Sequence, residues 1–328
     1  MSLHFLNYLL EDHTFLYDLY SQSTGSAQVN VGPSHLRKLR ILIPYDVTEQ
    51  SQIGTILSKV DKAITQTQQL IDKYNKIKVG LMQDLLTKGI DERGNIRSEE
   101  THEFKDSALG RIPKEWDCLT IDDIASRLRS GVTPRGGSEV YLKEGIMLIR
   151  SQNVYDYGLK LDDVAYISEE INNKMMGSQL IEFDVLLNIT GASIGRSTYV
   201  PTNHPKSNVN QHVCSIRLKV PNISNAIFLS SFLNSKYGQN QIHQNNAGSN
   251  REGINYSQIR SIHIPWFNSE KESDNFTKTI LKVNAPIENY STQLSKLQSL
   301  KTGLMQDLLS GKVRVNHLIK NEAYDTKQ

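Results

Sequence analysis

Gly80-Leu81-Met82-Gln83-Asp84-Leu85-Leu86 recurs, residue for residue, as Gly303-Leu304-Met305-Gln306-Asp307-Leu308-Leu309. Seven identities at a spacing of 223 positions mark an internal duplication. The same spacing links Lys59-Val60 to Lys282-Val283, Ile64 to Ile287, Gly25-Ser26 to Gly248-Ser249 and Phe5-Leu6 to Phe228-Leu229. Leu36-Arg37 matches Ile259-Arg260, and Pro44 and Pro265 close the two copies with a slip of two residues. The first 90 or so residues therefore repeat the last 90 or so, whereas the middle, roughly 105 to 225, has no counterpart.

Each copy ends in a long helical rhythm. In the second, the apolar positions run Phe276, Ile280, Val283, Ile287, Tyr290, Leu294, Leu297, Leu304 and Leu308. In the first they run Ile53, Leu57, Val60, Ile64, Thr67, Ile71, Tyr74, Leu81 and Leu85. Steps of four and three alternate, the seven-residue period of a narrow coiled-coil seam. About 40 residues at 1.5 Å each make a rod about 60 Å long, and such a rod buries its stripe only against another rod. The two helices are expected to pair antiparallel, because a domain between them must bring the chain back. Val60, Ile64, Ile71, Tyr74, Leu81, Val283, Ile287, Tyr290, Leu294, Leu297 and Leu304 are the expected helix interface. Pro286, where the first copy has Ala63, predicts a kink or break near 282–286.

The middle reads differently. Ile146–Arg150, Val185–Ile189, Ser197–Val200 and His212–Leu218 are short, apolar and β-branched, with Gly, Pro and Asn between them. These are strands joined by tight turns. Asn225–Ser235 reads as a helix and Ile259–Ile264 as a closing strand. The predicted fold class is α+β, a mixed, β-rich domain flanked by two long helices forming an antiparallel coiled coil. Its boundaries are a tail (1–45), a helix (46–90), the complete domain (105–268), a second helix (269–312) and a C-terminal tail (313–328).

Net charge is +2, which by itself points to no partner, but the charges are segregated. Residues 127–152 carry an excess of +3, residues 153–187 one of −5, and residues 188–265 one of +6. One positive face able to meet a phosphate backbone is one reading, and ordinary surface fluctuation the other. No apolar run reaches the ~18 residues that cross a bilayer, and the N-terminus lacks a basic lead-in. Cys118 and Cys214 are the only cysteines, which suits a reducing cytoplasm rather than a disulfide scaffold.

Catalytic motifs are sparse. Gly191-Ala-Ser193-Ile-Gly195 matches the nucleophile elbow of hydrolases, but Arg196-Ser-Thr-Tyr-Val-Pro201 after it is β-branched and cannot continue as a helix. A turn between two strands fits better. There is no phosphate-binding lysine loop, no Pro-Pro of an amino-methyltransferase and no histidine pair at ligand spacing, so neither catalysis nor a metal is expected. The polar loops suggest base readout instead. Arg150, Gln152 and Asn153 follow one strand; Asn188, Thr190, Ser193 and Arg196 surround the glycine turn. Asn210, Gln211 and His212 precede another strand, and Asn250 and Arg251 lie in a Gly-containing loop. Arg pairs bidentately with guanine, and Asn or Gln with adenine, in the major groove. Turn-filling is the alternative role for each.

With the duplicated Gly-Leu-Met-Gln-Asp-Leu-Leu ends stand Leu109-Gly-Arg-Ile-Pro-Lys-Glu-Trp116, Leu187-Asn-Ile-Thr-Gly-Ala-Ser-Ile-Gly195-Arg196 and Asn210-Gln-His212. In these the chain resembles the specificity (S) subunits of Type I restriction–modification systems, over essentially its whole length. The resemblance implies a non-catalytic subunit that reads double-stranded DNA. Such subunits carry two target-recognition domains, each reading half of a split site, with the helices as a ruler. Modification subunits dock on the helices and methylate an adenine in each half-site, and motor–nuclease restriction subunits complete the enzyme. S-adenosylmethionine is expected only in the modification subunit, with no cofactor in this chain. The departure is that residues 1 to about 45 hold only the tail of a first domain. Residues 3–20 are expected to form a helix whose sheet is missing. A truncated remnant, a piece complementing a separate N-terminal S fragment, and a self-associating half-subunit are the three explanations. A decoy that binds partner subunits without reading DNA is the alternative function.

Overall fold

The computed structural model describes residues 1–21, 31–134, 136–246 and 253–318. The chain divides into two compact units, Met1–Tyr74 with Pro286–Gln328, and Asn75–Ala285. Each takes one part of both long helices, so the units cut across the linear order of tail, helix, domain and helix.

The first unit opens with α1 (Leu3–Glu11), α2 (His13–Ser21) and α3 (Pro33–Lys38), followed by α4 (Val47–Thr87), which runs on into the second unit. The single helix expected over 3–20 is broken at Asp12. Its carboxylate accepts the Thr14 and Phe15 amides at 3.0 and 3.1 Å, satisfying donors that a fresh helix start leaves open. Phe5, Tyr8 and Leu9 on α1 are buried with Ile53 and Leu57 of α4 and with Leu308, Leu309 and Val315 from the chain's end. Gly54 makes this approach possible, since a Cβ there would sit 2.8 Å from the His4 Cβ.

In the second unit the β-rich domain begins with β1 (Phe104–Ser107), β2 (Gly110–Pro113), β3 (Asp117–Thr120), α5 (Ile121–Ile124) and β4 (Ala125–Ser130). It continues through β5 (Ile146–Ile149), β6 (Val154–Tyr155), β7 (Gly158–Leu159), β8 (Ala165–Ile167) and α6 (Glu169–Lys174). Then come β9 (Val185–Asn188), β10 (Ser197–Tyr199), β11 (Ser207–Val209) and β12 (Val213–Leu218). The closing elements are α7 (Ile223–Asn234), α8 (Lys236–Asn246), α9 (Tyr256–Arg260), β13 (His263–Trp266) and α10 (Glu270–Leu309). Four strands form an antiparallel sheet in the order β10-β9-β12-β4, and three form a second in the order β11-β5-β8. β13 pairs antiparallel with β3, Ile264 opposite Leu119. Ile259 and Arg260, expected in that closing strand, lie instead in α9, whose start is capped by Asn255 accepting from the Gln258 amide. One core holds Trp116, Phe228, Phe267 and the sheet's inner face together with Leu85 and Leu86 of α4 and Phe276 and Ile280 of α10.

The long helices pack together as expected, antiparallel and with the seam covered. Within the first unit Lys301 bridges Asp61 at 2.7 Å, and the Tyr74 and Tyr290 rings lie 5.8 Å apart. Positions that rise along α4 thus fall along α10. Ile71 and Ile287 are buried on this face, while Val60, Ile64, Tyr74, Leu81, Val283, Tyr290, Leu294, Leu297 and Leu304 are half-buried. Helix α10 runs through Pro286 without ending there, so of the expected kink or break the break is absent.

A second duplication joins the helix starts. Glu49 and Glu272, 223 positions apart, stand in the first turns of α4 and α10. Glu49 accepts from Arg314 Nε at 2.8 Å, from its NH2 group at 2.6 Å, and from the Val315 amide at 3.2 Å. Glu272 accepts from both terminal nitrogens of Arg97 and, at 3.3 Å, from the Ile90 amide. In each unit a helix's first-turn glutamate thereby catches the chain leaving the opposite helix, where its charge also suits the helix dipole.

The Arg314 hydrogen bond, chiefly, holds the Glu49 carboxyl below its ordinary 4.5, against the upward push of burial. A carboxylate depressed in the folded state stabilises fully above its unfolded value and loses that contribution as pH falls through the folded one. The first unit should therefore weaken below about pH 4.5. Helical circular dichroism followed against denaturant should show a shallower acid loss in Glu49→Gln; an unchanged profile would remove this carboxylate from the account.

Candidate nucleic-acid interface

Three loops of the second unit meet at one edge of its sheets. The first, residues 150–157, leaves β5 and turns into the β6–β7 hairpin. The second, 189–196, joins β9 to β10, and the third, 210–212, enters β12. β9 and β10 pair antiparallel, with Leu187 opposite Ser197, so Gly191–Gly195 is a hairpin turn with no helix after it. Gly191 and Gly195 adopt φ of 74° and 89°, backbone that other residues rarely accept. The hydrolase reading of Ser193 ends there, since the nucleophile elbow needs a helix after the turn, and the Ser193 hydroxyl accepts a 3.0 Å hydrogen bond from Asn188.

Geometry sorts the expected readers into two groups. Asn188, fully buried, donates to the Ser151 carbonyl at 2.9 Å as well as to Ser193, and so ties the first loop to the second. Asn153, also buried, accepts from the Arg150 amide and donates to the Lys160 and Asp163 carbonyls at 2.9 and 3.0 Å. Asn210 is buried and accepts from the His212 amide at 3.1 Å. Arg150 donates to the Asp163 carbonyl at 3.2 Å and lies over the Tyr141 ring. These four brace the loops through the bonds just given, and among the described residues the buried Asn188 Oδ1 and Arg150 Nε have no hydrogen-bond partner.

The second group faces outward. Gln152 is exposed and donates to Asp163 at 2.7 Å, a bond that surface water can replace. Arg196 is exposed, its guanidinium 5.0 Å from the Tyr155 ring centroid. Thr190 and His212 share a 2.6 Å hydrogen bond, and exposed Gln211 lies 3.3 Å from His212 Nε2. Asn250 and Arg251 lie outside the described residues.

Tyr155 and Tyr157 are not among the residues expected from sequence, yet their rings stack at 5.1 Å beside Arg196. Tyr157 is 49% exposed, and burial of the rest of its ring, with Tyr155 next to it, holds its phenol above the ordinary value. The available signal was Tyr155-Asp-Tyr-Gly158, two aromatic residues on a turn too short to hide them. The edge thus presents a cation, two amides, an imidazole and two aromatic rings together.

The charge segregation largely dissolves in three dimensions. Arg217 is paired with buried Asp184 at 2.7 Å, Lys206 with Glu169 and Arg260 with Asp122, while Lys219 donates to the Asp123 carbonyl. Each acid that neutralises the 188–265 run lies outside it in sequence. Both cysteines are free, with Cys214 fully buried and its thiol pushed up to about 12 by that burial. Among the described residues no helix is long and apolar enough to cross a membrane.

Known proteins are similar to this chain in sequence and in fold. Residues 2–76 and 113–296 match the family described as the Type I restriction modification DNA specificity domain. The chain is 25% identical over 304 residues to the Type I restriction enzyme MjaVIII specificity subunit of Methanocaldococcus jannaschii, covering 92% of this chain and 68% of that protein. It is 21% identical over 265 residues to the EcoBI specificity subunit of Escherichia coli, covering 79% and 54%. Its fold superposes on the S subunit of a Type-I restriction-modification system from M. genitalium with a TM-score of 0.62 at 18% identity, over 94% of this chain and 72% of that one. The family match spans the larger part of each long helix and all of the sheet edge just described, and on it the chain belongs to the DNA specificity subunits of Type I restriction–modification systems.

Proposed function

We propose that the second unit reads one half of a split double-stranded DNA site through the edge formed by Gln152, Tyr155, Tyr157, Thr190, Arg196, Gln211 and His212. One observation carries this reading: buried Asn188 and the Thr190–His212 bond lock three polar loops into a single surface, so that rigid scaffolding presents exposed side chains. Pre-placed donors lose little freedom on binding, which favours specificity. Arg196 suits guanine in the major groove and Gln152 or Gln211 suits adenine. The tyrosines supply flat faces beside them.

In this reading the chain is not itself an enzyme. It acts in the cytoplasm, and S-adenosylmethionine is bound by the modification subunits it positions. Since the helix seam is filled from within, those subunits meet the outer helix surface. Ile77 in the second unit and Leu300 in the first, equivalent positions of the two repeats, are 46% and 51% exposed, and each is an apolar side chain suited to docking in its own unit. Ile77→Glu with Leu300→Glu should weaken co-purification of a modification subunit while DNA-edge variants leave it intact.

Methylation mapping in cells expressing the chain with its modification subunit supplies the recognised site. Arg196→Ala should then weaken binding to that site by about 1–3 kcal/mol and relax the preference at one position if it reads a base. A uniform loss with a salt slope smaller by about 1 would assign it to phosphate. Wild-type binding and preference in Arg196→Ala, Gln152→Ala and Gln211→Ala alike would remove the edge from DNA recognition and favour a decoy.

A further inference from the structure

Strand β4 lies at the edge of the four-stranded sheet, paired with β12 alone. Ser130 stands opposite Cys214, Leu128 opposite Ile216 and Arg127 opposite Arg217, and the register then slips before Ala125 meets Leu218. The Ser126 hydroxyl fills that bulge, directed at the Arg217 and Leu218 carbonyls at 3.1 and 3.3 Å. A bulge re-aims the side chains on either side of it. Here Ala125 and Leu128 both enter the core, while Arg127 and Arg129 share the opposite face with Arg217. Three guanidinium groups thus gather around one buried carboxylate, and Arg217 takes both oxygens of that Asp184 at 2.8 and 2.7 Å. Arg127 donates only to the Gln179 carbonyl, at 3.4 Å, which Arg217 also uses. Its buried Nε has no hydrogen-bond partner among the described residues. Burial, and then the Arg217 and Arg129 charges, hold the Arg127 guanidinium below its ordinary value. Like charges directly opposite one another destabilise a sheet. The fold carries that cost, and an anion would remove it.

We propose that Arg127 and Arg129 form a phosphate site that takes the DNA backbone beside the bases read at the loop edge. The end of β4 is tied to that edge, because the Gly131 amide donates to the Asn210 carbonyl at 3.2 Å. The two arginines are separated by ~6.8 Å along the strand, the scale of neighbouring phosphates on one DNA strand. A guanidinium offers phosphate oxygens a planar fork of donors, and each phosphate it neutralises releases counterions. Charges on an edge strand also deter pairing with another sheet. That role needs neither Arg127 set against Arg217 nor a buried, unpaired Nε. The inference rests on the DNA reading of the loop edge and divides the labour there: backbone contacts fix position, base contacts specify.

The test measures binding of the full chain, with its modification subunit, to a duplex of the mapped site and to one with the same bases scrambled. Salt runs from about 50 to about 200 mM. With Arg127→Gln and Arg129→Gln together, the slope of log affinity against log salt should flatten by about 2 on both duplexes. Salt then costs the variant about tenfold less over that range, and the preference for the mapped site holds. Arg127→Lys with Arg129→Lys should restore most of the slope, because counterion release counts charge. In the chain alone, tryptophan fluorescence should give the glutamine variant a denaturation midpoint equal to or above that of the wild type, since repulsion is relieved. An unchanged slope, with preference relaxed in Arg196→Ala, would overturn this inference and keep the loop edge. A flattened slope, with full preference in the edge variants, would keep the phosphate site and end the reading of the edge. A loss confined to the mapped site would make the pair base readers. A lowered midpoint, with lysine no better than glutamine, would make the pair structural. Either of these last two results overturns the proposal.

Discussion

Replacing Glu272 by alanine is expected to destabilise the second unit by about 3–5 kcal/mol. Both partners of its ion pair are withdrawn from water, the side chains of Arg97 and Glu272 being 7% and 2% exposed. Removing the carboxylate leaves a guanidinium buried without a counter-charge and the Ile90 amide without its acceptor. That penalty, rather than the net worth of the pair, sets the magnitude. Glu272→Gln keeps an acceptor for Ile90 and should recover part of the loss. The repeat-related Glu49→Ala should cost less, because Arg314 is 56% exposed and can turn to water. Both tryptophans of the chain, Trp116 and Trp266, lie in the second unit, so their fluorescence against denaturant follows that unit alone. A midpoint for Glu272→Ala matching that of a surface change such as Glu270→Ala would sink the latch.

Trp116→Ala should cost a similar ~3–5 kcal/mol, by a different mechanism. The indole is fully buried, edge-on to Phe228 at 6.4 Å and to Phe267 at 6.0 Å, where two rings of the helical tail meet the start of the domain. Truncation opens a cavity the size of a ring system among side chains that cannot collapse into it. Among the described residues its Nε1–H has no hydrogen-bond partner, so the burial brings no such bond with it. Trp116→Phe should therefore lose far less than Trp116→Ala, since the phenyl ring keeps most contacts and removes an unsatisfied donor. Circular dichroism melts of the two variants test this directly. Equal losses would mean that the indole nitrogen is satisfied in solution after all.

Much of the architecture is periodic information and could be read from the chain itself. The 223-residue repeat, the seven-residue seam and the β-branched segments are statements about spacing, and spacing survives folding unchanged. The antiparallel helices, the strands β5, β9, β10 and β12, and the hairpin at Gly191–Gly195 all appear where those patterns put them. Local features were misjudged where local rules compete with packing: Asp12 interrupts an apolar rhythm by capping a new helix, and Ile259 and Arg260 end a short helix capped by Asn255 rather than opening the closing strand.

The division of the polar loop residues was a different matter. Nothing in the types or order of Asn153, Asn188, Asn210, Gln152, Gln211 and Arg196 separates the buried side chains from the exposed ones; each could fill a turn or meet a base. The separation comes from contacts distant in sequence, such as Asn188 with the Ser151 carbonyl and Arg196 with the Tyr155 ring. A buried amide must spend its hydrogen bonds on the protein, whereas an exposed one keeps them exchangeable with water and hence with DNA. Composition and periodicity settled which elements this protein makes, but only the assembled tertiary structure could decide which side chains they leave facing outward, because burial is a property of non-local neighbours.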